Sequence, residues 1–321
     1  MNENPSSRLL STPSLFVGLE LCSGSGLSRG ALAGVLLELA PPVRPALTPR
    51  AVAGGKGQVG GVDCYISGSG TASAVIIFSD VWGWDSGRIR SLADELAASG
   101  HLVVIPKLLQ PALEGGTDGD GLPPDFDLGA RGADFGPWVT QIPWSTIEPQ
   151  VDAILADLNG RGITKIGHLG TCWGAWAGFH TAASGKLSCG VNCHPSVQLE
   201  GMFGGSDLAL AETVKCPQMM LPAGGDNDNT KPGGEMQAIF DKQPWGSDCV
   251  YQEFPEMEHG WVPRGVRTLP PLPPLPIVST PDSYRVYVGQ DDSDAAVAEG
   301  IKAAMELAKG FFQKHLVDAS L

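Results

Sequence analysis

Residues 73 to 79 read SAVIIFS, an almost continuous apolar run, followed by DSGRIRSLADELAASG and then by HLVVIP at 101 to 106. A strand that is apolar at successive positions, rather than at every second one, needs cover on both faces, as parallel strands between helix layers do. Between the two strands Ile89, Leu92, Ala93, Leu96 and Ala97 recur at intervals of three and four, which is one face of a helix. Asp85 or Ser86 is available to cap its start and Gly100 to close its end. Strand, helix, strand is a βαβ unit. Its crossover is right-handed in nearly all sheets, and ligand sites in such sheets lie beyond the carboxyl ends of the strands. The expected fold class is α/β, with a mostly parallel central sheet and helices on both faces.

The same rhythm continues on either side. QVGGVDCYISG reads as a hairpin arm before the first central strand. Ile147, Val151, Ile154, Leu155 and Leu158 mark a helix closed by Gly160, and TKIGHLG a strand leading into the small-residue helix WGAWAGFHTAAS. CGVNC, QMMLP and CVYQEF follow as short strands, separated by helical stretches near 206–213 and 234–242. The stretch 294–316 carries Ile301, Met305, Ala308 and Phe312 on one face and is expected to close the fold. Residues 110–137, rich in Gly, Pro and Asp, read as a long surface loop or lid, and LPPLPPLP at 269–276 as a rigid polyproline insertion on the surface. Residues 1–50, poor in acid and carrying Arg8, Arg29, Arg44 and Arg50, read as an N-terminal extension, disordered or targeting, ahead of a single domain over 51–321.

Composition narrows the partners. The 321 residues carry 21 Lys and Arg against 35 Asp and Glu, and the net charge of −14 repels phosphate backbones and anionic lipid headgroups, so no nucleic-acid or membrane partner is expected. No apolar run reaches the roughly 18 residues of a membrane span. The seven cysteines are odd in number and irregular in spacing, which points to a reducing compartment: the cytoplasm, or an organelle if residues 1–50 are a transit peptide.

Free thiols are then available for chemistry, and one is singled out by GHLGTCWG at 167–174. A nucleophile on a tight strand-to-helix turn needs small neighbours on both sides, because a Cβ two residues away would strike the strand or the helix. Gly170 and Gly174 meet that need around Cys172. The turn puts the thiol at a helix N-terminus, where the dipole favours thiolate and the Trp173 amide can face a developing oxyanion. A base and an orienting acid are expected from loops after later strands. AGGDND supplies Asp226 or Asp228, and EMEHGW supplies His259; the other histidines start strands, lie inside regular elements or sit at the tail.

GTCWG, GGD and HGW in this order resemble the dienelactone hydrolases, or carboxymethylenebutenolidases, of the α/β-hydrolase superfamily, and the likeness runs from about residue 57 to 316. The resemblance implies an α/β-hydrolase fold and a Cys-Asp-His triad with Cys172 as nucleophile, His259 as base and acid, and an Asp of GGDND as orienter. Counting from Pro217 selects Asp226 and counting back from Pro232 selects Asp228; the strand is the firmer ruler and favours Asp226. It further implies an acid after the first central strand that contacts the thiol, here Asp80 where the family more often has Glu, with the Val81 amide as second oxyanion donor. Arg264, shortly after the triad His, would bind a substrate carboxylate, and Arg131 is available for a second such role.

The implied reaction is attack of a thiolate on an activated ester or lactone, followed by hydrolysis of the thioester by water, with no cofactor and no metal. The substrate is expected to be small and anionic, and the assembly a monomer or homodimer. Glutamine amidotransferases also use a Gly-x-Cys-x-Gly turn, but there His is followed two residues later by Glu, whereas His259 is followed by Gly260 and Trp261. A haem or metal site at Cys189, Cys193 and His194 is disfavoured by spacing. The remaining alternative is a non-catalytic ligand-binding protein on the same scaffold.

Overall fold

The computed structural model describes residues 53–263 and 295–317. The N-terminal extension, the proline-rich stretch and Arg264 lie outside the described residues. β1 (Gly55–Val59) and β2 (Val62–Ser67) form an antiparallel hairpin. Its two-residue turn is Gly60-Gly61, at φ +61° and +79°, a pair of left-handed positions that glycine alone takes without strain. β2 pairs antiparallel with β4 (Leu102–Pro106), and from there the sheet is parallel through β3 (Ser73–Phe78), β5 (Lys165–Thr171), β6 (Cys189–Cys193), β7 (Gln218–Leu221) and β8 (Val250–Tyr251). The spatial order is β1-β2-β4-β3-β5-β6-β7-β8.

The central strands are apolar throughout because successive side chains feed two cores. Ile76 joins one cluster, and Val75 and Ile77 join the other. The first cluster is covered by α3 (Trp144–Gly160), α4 (Trp173–Ala183), α5 (Asp207–Thr213) and α6 (Glu235–Phe240); the second by α1 (Ile89–Ala97) and α7 (Ala295–Phe312). Each fully buried aliphatic side chain in these layers contributes about 1.5–3 kcal/mol relative to exposure. On α7 the expected stripe of Ile301, Met305, Ala308 and Phe312 is buried.

A polar ladder crosses this interior. His168 on β5 meets Asn192 on β6 (Nε2 to Oδ1, 3.2 Å), whose Nδ2 donates to Gln218 Oε1 on β7 at 3.0 Å. Gly190 makes room for it, since a Cβ there would lie 2.1 Å from His168 Cε1.

Two local expectations need correction. α1 has no side-chain cap: its N-cap position is Arg88, while Asp85 is drawn away into an ion pair with Arg90 at 3.1 Å. Residues 110–137 are a surface loop only in part: 110–127 carry no strand or α-helix and 111–119 are exposed or half-buried, but the rest is packed or helical. From Leu128 the chain forms α2 (Leu128–Val139), and Leu122 and Phe126 before it are wholly buried in the first core. The segment from Asp120 to Phe126 is thus a packed strap, its Leu122 and Phe126 sharing one core cluster with Phe78 of β3 and Trp173 of α4. No helix among the described residues is long and apolar enough to cross a membrane.

Candidate active site

Cys172 occupies the turn between β5 and α4, at φ +55° and ψ −116°, a conformation that costs an L-residue steric strain. The glycine frame explains how so sharp a turn fits. A Cβ at Gly174 would sit 2.0 Å from the Phe78 carbonyl oxygen, and one at Gly170 2.5 Å from the Gly174 carbonyl oxygen. Strand β3, strand β5 and helix α4 therefore cross at backbone contact, and the thiol stands over the carboxyl ends of the strands. Trp173 is the first residue of α4, so its amide belongs to the first-turn donors that have no partner within the helix.

Asp226 and His259 arrive from the loops after β7 and β8. These loops are stitched together: the Phe254 amide donates to the Pro222 carbonyl at 2.9 Å and the Gly224 amide to the Met257 carbonyl at 3.1 Å. Asp226 is pinned by the turn it belongs to, with Oδ2 accepting the Ala223 amide at 2.7 Å, which leaves Oδ1 aimed at His259 Nδ1, 2.5 Å away. All three side chains are buried, with Cys172, Asp226 and His259 each 8% exposed. Burial disfavours the His259 cation, but the Asp226 carboxylate and the Cys172 sulfur beside it outweigh that and raise it to about 10. Asp228 is elsewhere. Its side chain is 94% exposed and pairs with Lys231 at 3.0 Å.

Asp80 follows β3 and is buried, and one of its oxygens accepts the Trp82 amide at 3.0 Å. The same peptide is held from its other side, where the Val81 carbonyl accepts the Leu122 amide of the strap at 2.9 Å. Asp120 braces the same loop: wholly inside the protein, it accepts the Trp84 amide at 2.9 Å and the Leu109 amide at 2.8 Å. Arg131 is not part of this cluster. It pairs with Asp134 at 3.0 Å and stacks over Phe126 on the outside of α2.

Two residues after β6 complete the surroundings. The His194 ring meets the His259 ring edge-on at 5.0 Å between centroids. Ser196 Oγ lies 3.5 Å from Cys172 Sγ and 3.3 Å from His259 Nε2. The sequence points to a strand end at His194-Pro195 but gives no sign of Ser196; small polar residues after strands are too common to carry one. Cys189 and Cys193 are core residues, and among the described residues no group of three or more His, Cys, Asp or Glu side chains is placed to hold a metal ion. Burial raises the thiols of Cys64, Cys193 and Cys216 to about 12 and those of Cys189 and Cys249 in the same direction.

A buried thiol on a strained turn at a helix N-terminus and an imidazole whose far nitrogen is fixed by a carboxylate can together perform nucleophilic acyl transfer. Comparison with known proteins gives the family. The chain is 30% identical over 209 residues to an uncharacterized AIM2 family protein of Schizosaccharomyces pombe, covering 63% of this chain and 77% of that one. It is 25% identical over 232 residues to a carboxymethylenebutenolidase homolog of Rattus norvegicus, covering 66% of this chain and 81% of the relative. A crystal structure from Klebsiella pneumoniae, of a protein assigned as a dienelactone hydrolase, superposes with a TM-score of 0.53 at 16% identity over 83% of this chain and all of that one, which supports the fold. The family model of the dienelactone hydrolases matches residues 62–314, and the chain belongs to the dienelactone hydrolase family of the α/β-hydrolase superfamily.

Proposed function

We propose that this protein, a hydrolase of carboxylic esters and lactones, acts on small activated substrates through a Cys172 thioester, with residues 51–321 as its single domain. The observation that carries the reading is the buried line from the strained Cys172 turn through His259 to Asp226, closed by the 2.5 Å contact of Nδ1 with Oδ1. Asp226 fixes the tautomer and the ring plane, so that Nε2 is the nitrogen left for the reaction. The cation-favouring surroundings of His259 support a resting thiolate–imidazolium pair.

In the forward step the Cys172 sulfur attacks the carbonyl carbon, and the amides of Trp173 and Val81 receive the oxyanion. Collapse breaks the bond to the leaving oxygen, which takes the Nε2 proton of His259. Neutral His259 then removes a proton from water as its oxygen attacks the thioester carbonyl; the C–S bond breaks, the acid product leaves, and the Cys172 thiolate and His259 imidazolium are restored. A sulfur nucleophile suits esters whose leaving group departs easily, such as enol lactones. Arg264 is the residue proposed to make anionic substrates preferred.

The test is hydrolysis of p-nitrophenyl acetate and of a dienelactone before and after iodoacetamide. Cys172 is buried and Cys249 is half-buried, so the site of modification is read by mass; alkylation at Cys172 is expected to abolish turnover, and Cys172→Ala should reduce kcat by at least about a thousandfold while the protein still folds. Turnover that survives both treatments would refute the thioester mechanism.

A further inference from the structure

The stretch after β6 places one more polar group against the sulfur than a triad requires. His194, at φ +38°, turns the chain and donates its amide to the Leu221 carbonyl at 2.9 Å. Pro195 follows, and Ser196 then donates its amide to the Cys172 carbonyl at 3.1 Å, while the Cys172 amide donates to the Cys193 carbonyl at 3.2 Å. Two backbone hydrogen bonds thus staple the nucleophile turn to the end of β6. The Ser196 side chain, 4% exposed, has its hydroxyl within 3.5 Å of Sγ and 3.3 Å of Nε2.

A hydroxyl has one proton to give and lone pairs to receive another. Asp226 occupies Nδ1 of His259, so the nitrogen that Ser196 faces is the one that carries the mobile proton. We propose that Ser196 is a further catalytic residue, whose hydroxyl donates to the Cys172 thiolate and accepts from the protonated Nε2 of His259, holding the resting ion pair together. The proposal rests on the thiol mechanism above. Its proton balance is closed: the S–H bond of Cys172 breaks as its proton passes to Ser196 Oγ, and the proton already on Oγ passes to Nε2, leaving the hydroxyl neutral. Once the thioester forms, the sulfur no longer carries charge, and the hydroxyl is free to turn toward the entering water.

A packing role and this one separate cleanly, because Ser196→Ala keeps the backbone staple and removes only the shared proton. The experiment follows iodoacetamide alkylation of Cys172 by mass from about pH 5 to about pH 10, together with p-nitrophenyl acetate kinetics, in the wild-type protein, Ser196→Ala and Ser196→Thr. Losing a charge-assisted hydrogen bond to the thiolate should move the alkylation midpoint up by about one pH unit and lower kcat about tenfold with KM unchanged, while Ser196→Thr keeps the wild-type midpoint. An alkylation profile in Ser196→Ala that superposes on the wild type, with kcat intact, overturns the proposal. If Ser196→Ala does not fold, Ser196→Cys, a weak donor of similar size, carries the test on the same criterion. Failure of the underlying reading would look different: wild-type protein fully alkylated at Cys172 would still hydrolyse the ester.

Discussion

Asp226 and Asp228 are two positions apart and have opposite surroundings. Asp226 has one oxygen held by the Ala223 amide and the other on His259, while Asp228 reaches into solvent toward Lys231. Exposed pairs of that kind contribute about 0–1 kcal/mol, whereas a buried carboxylate that fixes an imidazole tautomer commonly governs turnover. Asp226→Asn is therefore expected to lower kcat by about a hundredfold or more, and Asp228→Asn to leave it within about twofold, both read from p-nitrophenyl acetate kinetics. Residues at this scale were legible in the sequence to different degrees. Cys172 stands out because its glycine neighbours answer a local steric demand that can be read from five letters. Ser196 does not, because its contacts with Cys172 and His259 span 24 and 63 residues and exist only once β5, β6 and the loop after β8 are side by side. For the two aspartates the sequence left a count that could be made from either end, and only the pinning of one of them by its own turn distinguishes their positions.

Among the elements, the strands were readable because burial on both faces leaves its mark at every position. The strap over 120–126 was not. Its glycines, prolines and acids are those of an exposed loop, and two buried apolar side chains, Leu122 and Phe126, are too few to show a period. Its close fit to the loop after β3 is a matter of backbone: a Cβ on Gly121 would meet the Val81 carbonyl oxygen at 2.6 Å, and one on Gly83 would meet Asp120 Oδ2 at 2.5 Å. Burial raises Asp120 to about 6, with the Trp84 and Leu109 amides and Lys107 pulling the other way. Asp120→Ala would leave those two amides without their acceptor inside the protein. The expected cost is about 2–4 kcal/mol in urea unfolding, and because the strap also holds the peptide beside the Val81 amide, esterase activity should fall alongside stability.

For the molecule as a whole, the ladder of His168, Asn192 and Gln218 ties folding to pH. Burial lowers His168 to about 4, below the 6.5 of an ordinary imidazole. The unfolded chain therefore takes up a proton below pH 6.5 that the folded chain refuses until about pH 4, so this group's contribution is present above that window and is lost as pH falls through it. The loss amounts to about 3 kcal/mol, from about 2.5 pH units at 1.36 kcal/mol each. Asp120 works in the opposite sense, its raised carboxyl favouring the fold at low pH, so the difference between the wild type and His168→Gln isolates the histidine. In urea unfolding that difference should shrink in favour of the variant between about pH 7 and about pH 4.5; a difference that stays constant would exclude His168 as the cause.

The turn at Cys172 has a consequence for how such a protein changes over time. Glycine is the residue that fits φ +55° and ψ −116° without penalty, and it is also the one that carries no sulfur. Comfort of the backbone and possession of a thiol are mutually exclusive at this position, with about 1–3 kcal/mol of strain between them. Random drift there runs downhill in folding energy toward a sturdier protein without the thiol, and a cysteine in that place marks stability forgone.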